Sequence, residues 1–222
     1  MSPYQIKNTE EDNMKIIDNY RDLPIGMYLD ICEIDRREDL DDLAKQVMTI
    51  AILTGRAEEE IYNLPLEQYR TLAAKTAFLT KEYDGEVLRA KTYGINGMVL
   101  IPVEDYRKVT TAQYVDFQTF AKDPERNIVE LLSCMLIPKG KKYNQDYDVL
   151  ELQNALRMHL SVADALSLLA FFFVQYQQLI KDSLTYSKEA AMKLRHPEKK
   201  RRILREIQKQ EVLLKGGDGL QM

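Results

Sequence analysis

Leu23-Pro24-Ile25-Gly26-Met27-Tyr28-Leu29-Asp30-Ile31 is echoed later in the chain by Val109-Thr110-Thr111-Ala112-Gln113-Tyr114-Val115-Asp116-Phe117. Both read as apolar helix starts built on a Tyr-aliphatic-Asp core, and the first carries proline where a helix can spare an N–H. Two further pairs keep the same order. Val47-Met48-Thr49-Ile50-Ala51-Ile52-Leu53-Thr54-Gly55 matches Leu131-Leu132-Ser133-Cys134-Met135-Leu136-Ile137-Pro138 with Gly140 just beyond. Leu64-Pro65-Leu66-Glu67-Gln68-Tyr69, leading to Leu72, matches Leu160-Ser161-Val162-Ala163-Asp164-Ala165, leading to Leu168. Three ordered blocks read as a duplicated helical unit whose second copy has a longer loop before its third block. The competing reading is two similar amphipathic helix starts in an α-rich protein.

Working outward, the first half shows three helical patterns. Ile25, Tyr28, Leu29 and Ile31 line one side of the first. The acidic cluster Glu38 to Asp42 suits the positive end of the second, which runs through Leu43, Val47, Ile50 and Ala51 to a stop at Gly55. Pro65 opens the third, with Tyr69, Leu72, Ala73, Thr76 and Leu79 spaced for burial. The period then changes. Thr92 to Ile101 places Asn96-Gly97 between two short apolar runs, the signature of a type I′ hairpin with a strand on either side. Pro102 can close the second strand without supplying a ladder donor. Such a lone hairpin is marginal in water and must pack on its own helices or on another chain.

The second half restarts at Thr110, whose hydroxyl and the Gln113 side chain form a capping box. A buried-looking helix is expected over Ile128 to Ile137, then a turn-rich break at Pro138 to Tyr143. The helix with Leu166, Leu169, Phe172, Phe173 and Ile180 is apolar nearly all round, which marks it as central or as covered by a partner. A polar helix from near Ser187 to Leu214, interrupted at His196-Pro197, precedes a glycine-rich end. The expected fold is therefore mainly α: two related three-helix units joined by a β-hairpin, with a basic C-terminal helical extension. The boundaries implied are an N-terminal arm over 1–20, helical units over 21–82 and 109–186, a hairpin connector over 83–108, and the basic helix and tail over 187–222.

With 45% hydrophobic and 30% charged residues among 222, the composition is that of a soluble globular protein. Cys32 and Cys134 sit at non-equivalent repeat positions, so neither pairing nor a metal knuckle is expected, and a reducing compartment follows. Ser2 to Asn19 is polar and acidic, unlike a signal peptide. The longest apolar stretch, Leu160 to Val174, carries Asp164 and falls short of a bilayer's thickness, so no membrane partner is expected.

Catalysis finds little support in these residues. His159 lies on a helical stretch and His196 in a charged run, and a satisfied or solvated histidine accounts for each. No Cys/His/Asp spacing suits zinc, and no Asp-rich loop suits calcium. Gly216-Gly217-Asp218-Gly219 lacks the flanking strand, helix and Lys-Ser/Thr of a phosphate loop. The expectation is a protein that is not an enzyme and carries no cofactor or metal.

Charge is distributed unevenly. From Lys188 to Lys215 there are ten Lys or Arg against four Glu, while the whole chain has a net charge of −4. An acidic body carries a basic tail. Lys200, Arg201, Arg202 and Arg205 surround a stripe of Ile203, Leu204, Ile207 and Leu214. No aromatic is interleaved for base stacking, and the apolar stripe favours protein over nucleic acid as the surface met by these eight residues. A solvated face and binding to nucleic acid through Lys199 to Arg205 are the alternatives.

Leu23 to Asp30, Ala51-Ile52-Leu53-Thr54-Gly55 with Leu64-Pro65-Leu66, the restart over Val109 to Phe117, and Leu136-Ile137-Pro138-Lys139-Gly140 together resemble a family of tailed-bacteriophage morphogenesis proteins, found in crAss-like and related phages of gut Bacteroidetes. The resemblance spans about residues 20 to 180 and omits the arm and the basic tail. It implies a non-enzymatic part in building the neck or tail of a virion assembled in the host bacterial cytoplasm. The implied partners are copies of itself in a ring and the portal, adaptor or tail proteins of the particle. A tail assembly chaperone, absent from the finished virion, is the alternative within the family; the basic helix lies outside the family pattern and suits a protein that stays in the particle. A nucleic-acid-binding accessory protein is the alternative of another class.

Overall fold

The fold is described from a computed structural model covering residues 15–81, 83, 90–193 and 197–216. It is mainly α, with nine α-helices and one small antiparallel sheet among the described residues. The chain divides into two compact units, Met1–Tyr83 with Leu160–Ala163, and Asp84–His159 with Asp164–Met222.

The first unit contains α1 (Ile25–Asp35), α2 (Asp42–Thr54), α3 (Glu58–Tyr62) and α4 (Leu66–Lys75), the last continuing into a 3-10 turn over Thr76–Thr80. Local chemistry sets the ends of α2. The Asp41 carboxylate accepts from the Ala44 N–H at 2.7 Å, and Gly55 takes φ 68° while the Gly55 and Arg56 N–H groups reach back to Ile52 and Ala51. This is a Schellman stop, and the positive φ explains the glycine. Four helices stand where three were expected. The extra one, α3, begins at Glu58-Glu59-Glu60, whose carboxylates suit the positive end of a helix, and Ile61 anchors it in the core. Helix α4 is shorter than its apolar spacing implied: Leu72 is buried, but the chain tightens to 3-10 at Thr76 and leaves Leu79 half-buried.

Two segments join this unit that its own sequence pattern did not include. Residues expected in a free arm are partly packed: Ile16 is buried, and the Ile17 N–H donates to the Leu53 carbonyl at 3.1 Å. Residues 1–14 of that expected arm lie outside the described residues. Leu160–Ala163 comes from the far end of the chain. The Val162 N–H donates to Leu23 at 2.8 Å, Ile25 donates to Leu160 at 2.9 Å, and Ala163 donates to Tyr20 at 3.0 Å. These bonds satisfy the exposed amides at the starts of α1 and α8, which explains why the boundary does not fall between the two sequence repeats. Tyr20 gathers Tyr28, Phe78 and Tyr83 edge-on, with centroids 5.1–6.3 Å away, and its hydroxyl donates toward the Leu79 and Lys81 carbonyls.

The second unit opens with the hairpin. Strands β1 (Tyr93–Ile95) and β2 (Met98–Pro102) flank a turn in which Asn96 has φ 47° and Gly97 φ 75°, as the Asn-Gly pair implied. The hairpin is not alone. A third strand, β3 (Leu136–Pro138), pairs antiparallel with β2 in the register Leu100–Pro138, Ile101–Ile137 and Pro102–Leu136. The helix expected through Ile137 is therefore α6, Ile128–Met135, and ends one residue before the strand. Packing decides the switch: alternation along the three strands buries Tyr93, Ile95, Leu100 and Leu136 and leaves Val99 and Ile101 outward. Pairing with β3 also places the hairpin in the second unit and not in a connector of its own.

The chain continues with α5 (Thr111–Phe120), α7 (Val149–His159), which packs on β1, and α8 (Val162–Met192). Packing passes from α5 to α6 to α7, as it passes from α1 to α2 to α3 in the first unit. The first and third sequence blocks thus start helices in both halves. The second diverges, because one copy ends in a glycine cap and the other in a strand. Helix α9 (Pro197–Gly216) follows α8, so the basic extension expected from Ser187 is the last turns of α8 and a separate helix. The expected break at His196 and the end beyond Gly216 lie outside the described residues.

Candidate functional site

The basic helix was the surface singled out by composition, and its side chains now have places. Arg201, Arg202 and Arg205 are exposed, Ile203 and Leu204 are half-buried, and Ile207 is only 5% exposed. Ile207 is thus already covered within the chain, which corrects its expected role in docking on a neighbour; a side chain buried in its own fold has little surface left to offer. Lys200 and Leu214 belong to α9, and their side chains lie outside the described residues.

Helix α8 leads into this region with one side buried along its length: Ala165, Leu168, Leu169, Phe172, Leu184 and Ala191 are buried, whereas Val174 is 63% and Tyr186 75% exposed. Over its 31 residues it is long and apolar enough, by length and composition, to cross a membrane, unlike the shorter stretch the sequence marked; the buried side that runs from Ala165 to Ala191 is also what a core helix requires. The hairpin turn, Asn96 and Gly97, is exposed at the sheet's end.

A polar network runs through the second unit that sequence spacing did not reveal. The capping box forms as expected, with the Gln113 N–H donating to Thr110 Oγ1 at 3.2 Å and the Thr110 N–H to Gln113 Oε1 at 3.4 Å. Gln113 then goes further: its Nε2 donates to the Cys134 carbonyl at 2.6 Å. The Tyr143 hydroxyl donates to Asp116 Oδ2 at 2.8 Å and lies 3.5 Å from the Cys134 sulfur. Burial pushes the Cys134 thiol up to about 12 and raises the Tyr143 phenol as well. A protonated, buried thiol is a poor nucleophile, so this network braces α5, α6 and the loop after β3 and offers no reactive cysteine.

Aromatic rings line the other side of α5. Tyr106 meets Phe117 edge-on at 5.6 Å and Tyr176 at 6.3 Å, and Tyr114 lies 6.2 Å from Tyr176. Gln118 Nε2 donates to the hydroxyls of both Tyr114, at 2.9 Å, and Tyr176, at 3.1 Å. The Tyr114 echo of Tyr28 was visible in the sequence, but its grouping with Tyr106 and Tyr176 depends on where α8 passes. His159 is exposed; His196 lies outside the described residues, among which no group of three or more His, Cys, Asp or Glu could hold a metal ion.

No protein-family model matches the chain, and neither a curated protein nor a solved structure matches it.

Proposed function

We propose that the chain is a non-enzymatic structural protein of a tailed-phage virion, a repeated ring or adaptor-type component of the neck or tail. It works by binding copies of itself and the portal, adaptor or tail proteins beside it. The observation that carries this reading is the α8–α9 region. Helix α8 keeps one side buried as far as Ala191 but leaves Val174 and Tyr186 exposed, and α9 adds the exposed cations Arg201, Arg202 and Arg205. Exposed large apolar side chains on α8 and an excess of exposed cations on α9 suit a protein interface with an acidic partner surface, which the same chain supplies in Asp42, Glu58, Glu59 and Glu67. The family resemblance supplies the virion setting. Mass spectrometry of purified virions is the test: several copies per particle are expected, whereas a trace or none would replace the ring component by an assembly chaperone.

A further inference from the structure

We propose that the outer face of the β-sheet binds the acidic face of α2, α3 and α4 in a second copy of this chain, a head-to-tail contact that rests on the ring reading above and names the surfaces it would use.

The sheet buries one face and leaves the other open. Val99 is 45% and Ile101 37% exposed, and Ile137, opposite Ile101 on β3, is half-buried. Period 2 along β2 and direct pairing across the ladder put these three side chains on that one face. Ile101 and Ile137 also line a hollow of about 480 Å³, together with Lys108, Lys141 and Lys142. Lys139 follows at the end of β3, where its N–H donates to the Val99 carbonyl at 2.8 Å. Lys139, Lys141 and Lys142 are exposed, and none of the three forms an ion pair among the described residues. Of the two carboxylates that line the hollow, Asp105 is bonded to Arg107 at 2.8 and 3.1 Å, and Glu104 has a partner of its own. The face is apolar with unspent positive charge beside it.

The first unit carries the counterpart. Leu43, Tyr62 and Leu66 are 55%, 55% and 62% exposed. They gather around a single bond, in which the Tyr69 hydroxyl donates to Gln46 Oε1 at 2.6 Å and joins α4 to α2. Leu66 lies one turn before Tyr69 and Leu43 one turn before Gln46, so each stacks on the bonded residue of its own helix. Tyr62 is close by: burial and then this neighbour raise the Tyr69 phenol. Asp42 adjoins Leu43, Glu67 adjoins Leu66, and Glu59 lies one turn before Tyr62; all three are exposed, and none forms an ion pair among the described residues. Against them stands the exposed Arg70, one turn past Leu66.

Each face has what the other lacks. One offers projecting apolar side chains beside unpaired carboxylates, and the other an apolar hollow beside unpaired ammonium groups. Either face laid on its own duplicate would set like charges together. The complementary contact is therefore heterologous, one face of one copy on the other face of the next, which is the kind of contact that closes rings. The cations of α9 belong to the same unit as the sheet and add to the positive potential that steers the approach, while burial of the apolar side chains holds the contact.

The test is sedimentation of the full chain at low salt with two charge-reversed variants. One carries Lys139→Glu, Lys141→Glu and Lys142→Glu; the other carries Asp42→Lys, Glu59→Lys and Glu67→Lys. The unaltered chain is expected to self-associate in the micromolar range and to dissociate at high salt. Each variant alone should associate at least about tenfold more weakly, and an equimolar mixture should recover to within about threefold of the unaltered chain, because mixing pairs an acidic face with a basic one again. Recovery also reports that both variants are folded. Tyr62→Ser should weaken association about tenfold without charge reversal. An unaltered chain that stays monomeric at every concentration, either triple variant associating normally, no recovery on mixing, or indifference to Tyr62→Ser would overturn the proposal. The readout is the purified chain in solution, so failure here with the protein abundant in virions sinks this contact alone. Recovery on mixing by a chain absent from virions upholds the contact and removes the virion reading.

Discussion

Gln113 donates its side-chain amide to the Cys134 carbonyl at 2.6 Å while the same side chain accepts the N–H of Thr110. A helix-capping residue of α5 thereby also satisfies a carbonyl at the end of α6, where the chain leaves the helix for β3 and intrahelical donors run out. One side chain ties a local signal to a distant strand. Gln113→Leu keeps the volume and removes both bonds, leaving a buried carbonyl unpaired. A loss of about 2–3 kcal/mol in urea unfolding is expected, with Thr110→Ala losing only about 1 kcal/mol because it touches the cap alone.

At Gly97 the cost of a side chain is conformational and not steric. Its φ is 75°, and a Cβ built there meets nothing within 4 Å. Gly97→Ala and Gly97→Val should therefore both destabilise the protein, by about 1–2 kcal/mol, through the left-handed region. Asn96→Gly should be close to neutral in the same thermal melts, because glycine accepts that backbone as readily.

Alkaline pH should weaken the fold through its buried thiol and phenols. The Cys134 thiol is raised from 9.0 to about 12, and burial raises the Tyr106 and Tyr143 phenols from 10.0. Between those values the unfolded chain has released protons that the folded one still holds, so stability is fully present below about pH 9 and falls as pH rises. Each group contributes at most about 1.4 kcal/mol per pH unit across its window. Urea titrations at pH 8 and 10.5 should show this loss, and Cys134→Ala should shrink it. At pH 8 iodoacetamide should label the half-buried Cys32 ahead of Cys134 in the native protein.

For α9, burial of Ile207 separates two variants that composition alone would treat alike. Deleting residues 197–222 should lower the melting temperature, because it removes an apolar side chain from its packed place. Reversing charge with Arg201→Glu, Arg202→Glu and Arg205→Glu alters exposed positions only. The monomer should melt as before while self-association, measured by sedimentation at low salt, is lost. An unchanged sedimentation profile would remove α9 from the assembly surface.

What the sequence determined by itself is what a few neighbouring residues can decide. The stop at Gly55, the turn at Asn96-Gly97 and the capping box at Thr110 each depend on contacts within about four residues of chain, so the residue types carry the geometry. The apolar run through Leu136 and Ile137 is different, because short apolar runs suit a buried helix or a buried strand alike. Only the presence of β2, with Ile101 opposite Ile137, makes it a strand. Likewise nothing near Leu160 tells it to bond Ile25, and nothing near Tyr106 tells it to lie under Tyr176. Tertiary structure decided these, since each joins residues far apart in the chain. What fixes them is which distant apolar faces and unpaired amides can be satisfied together.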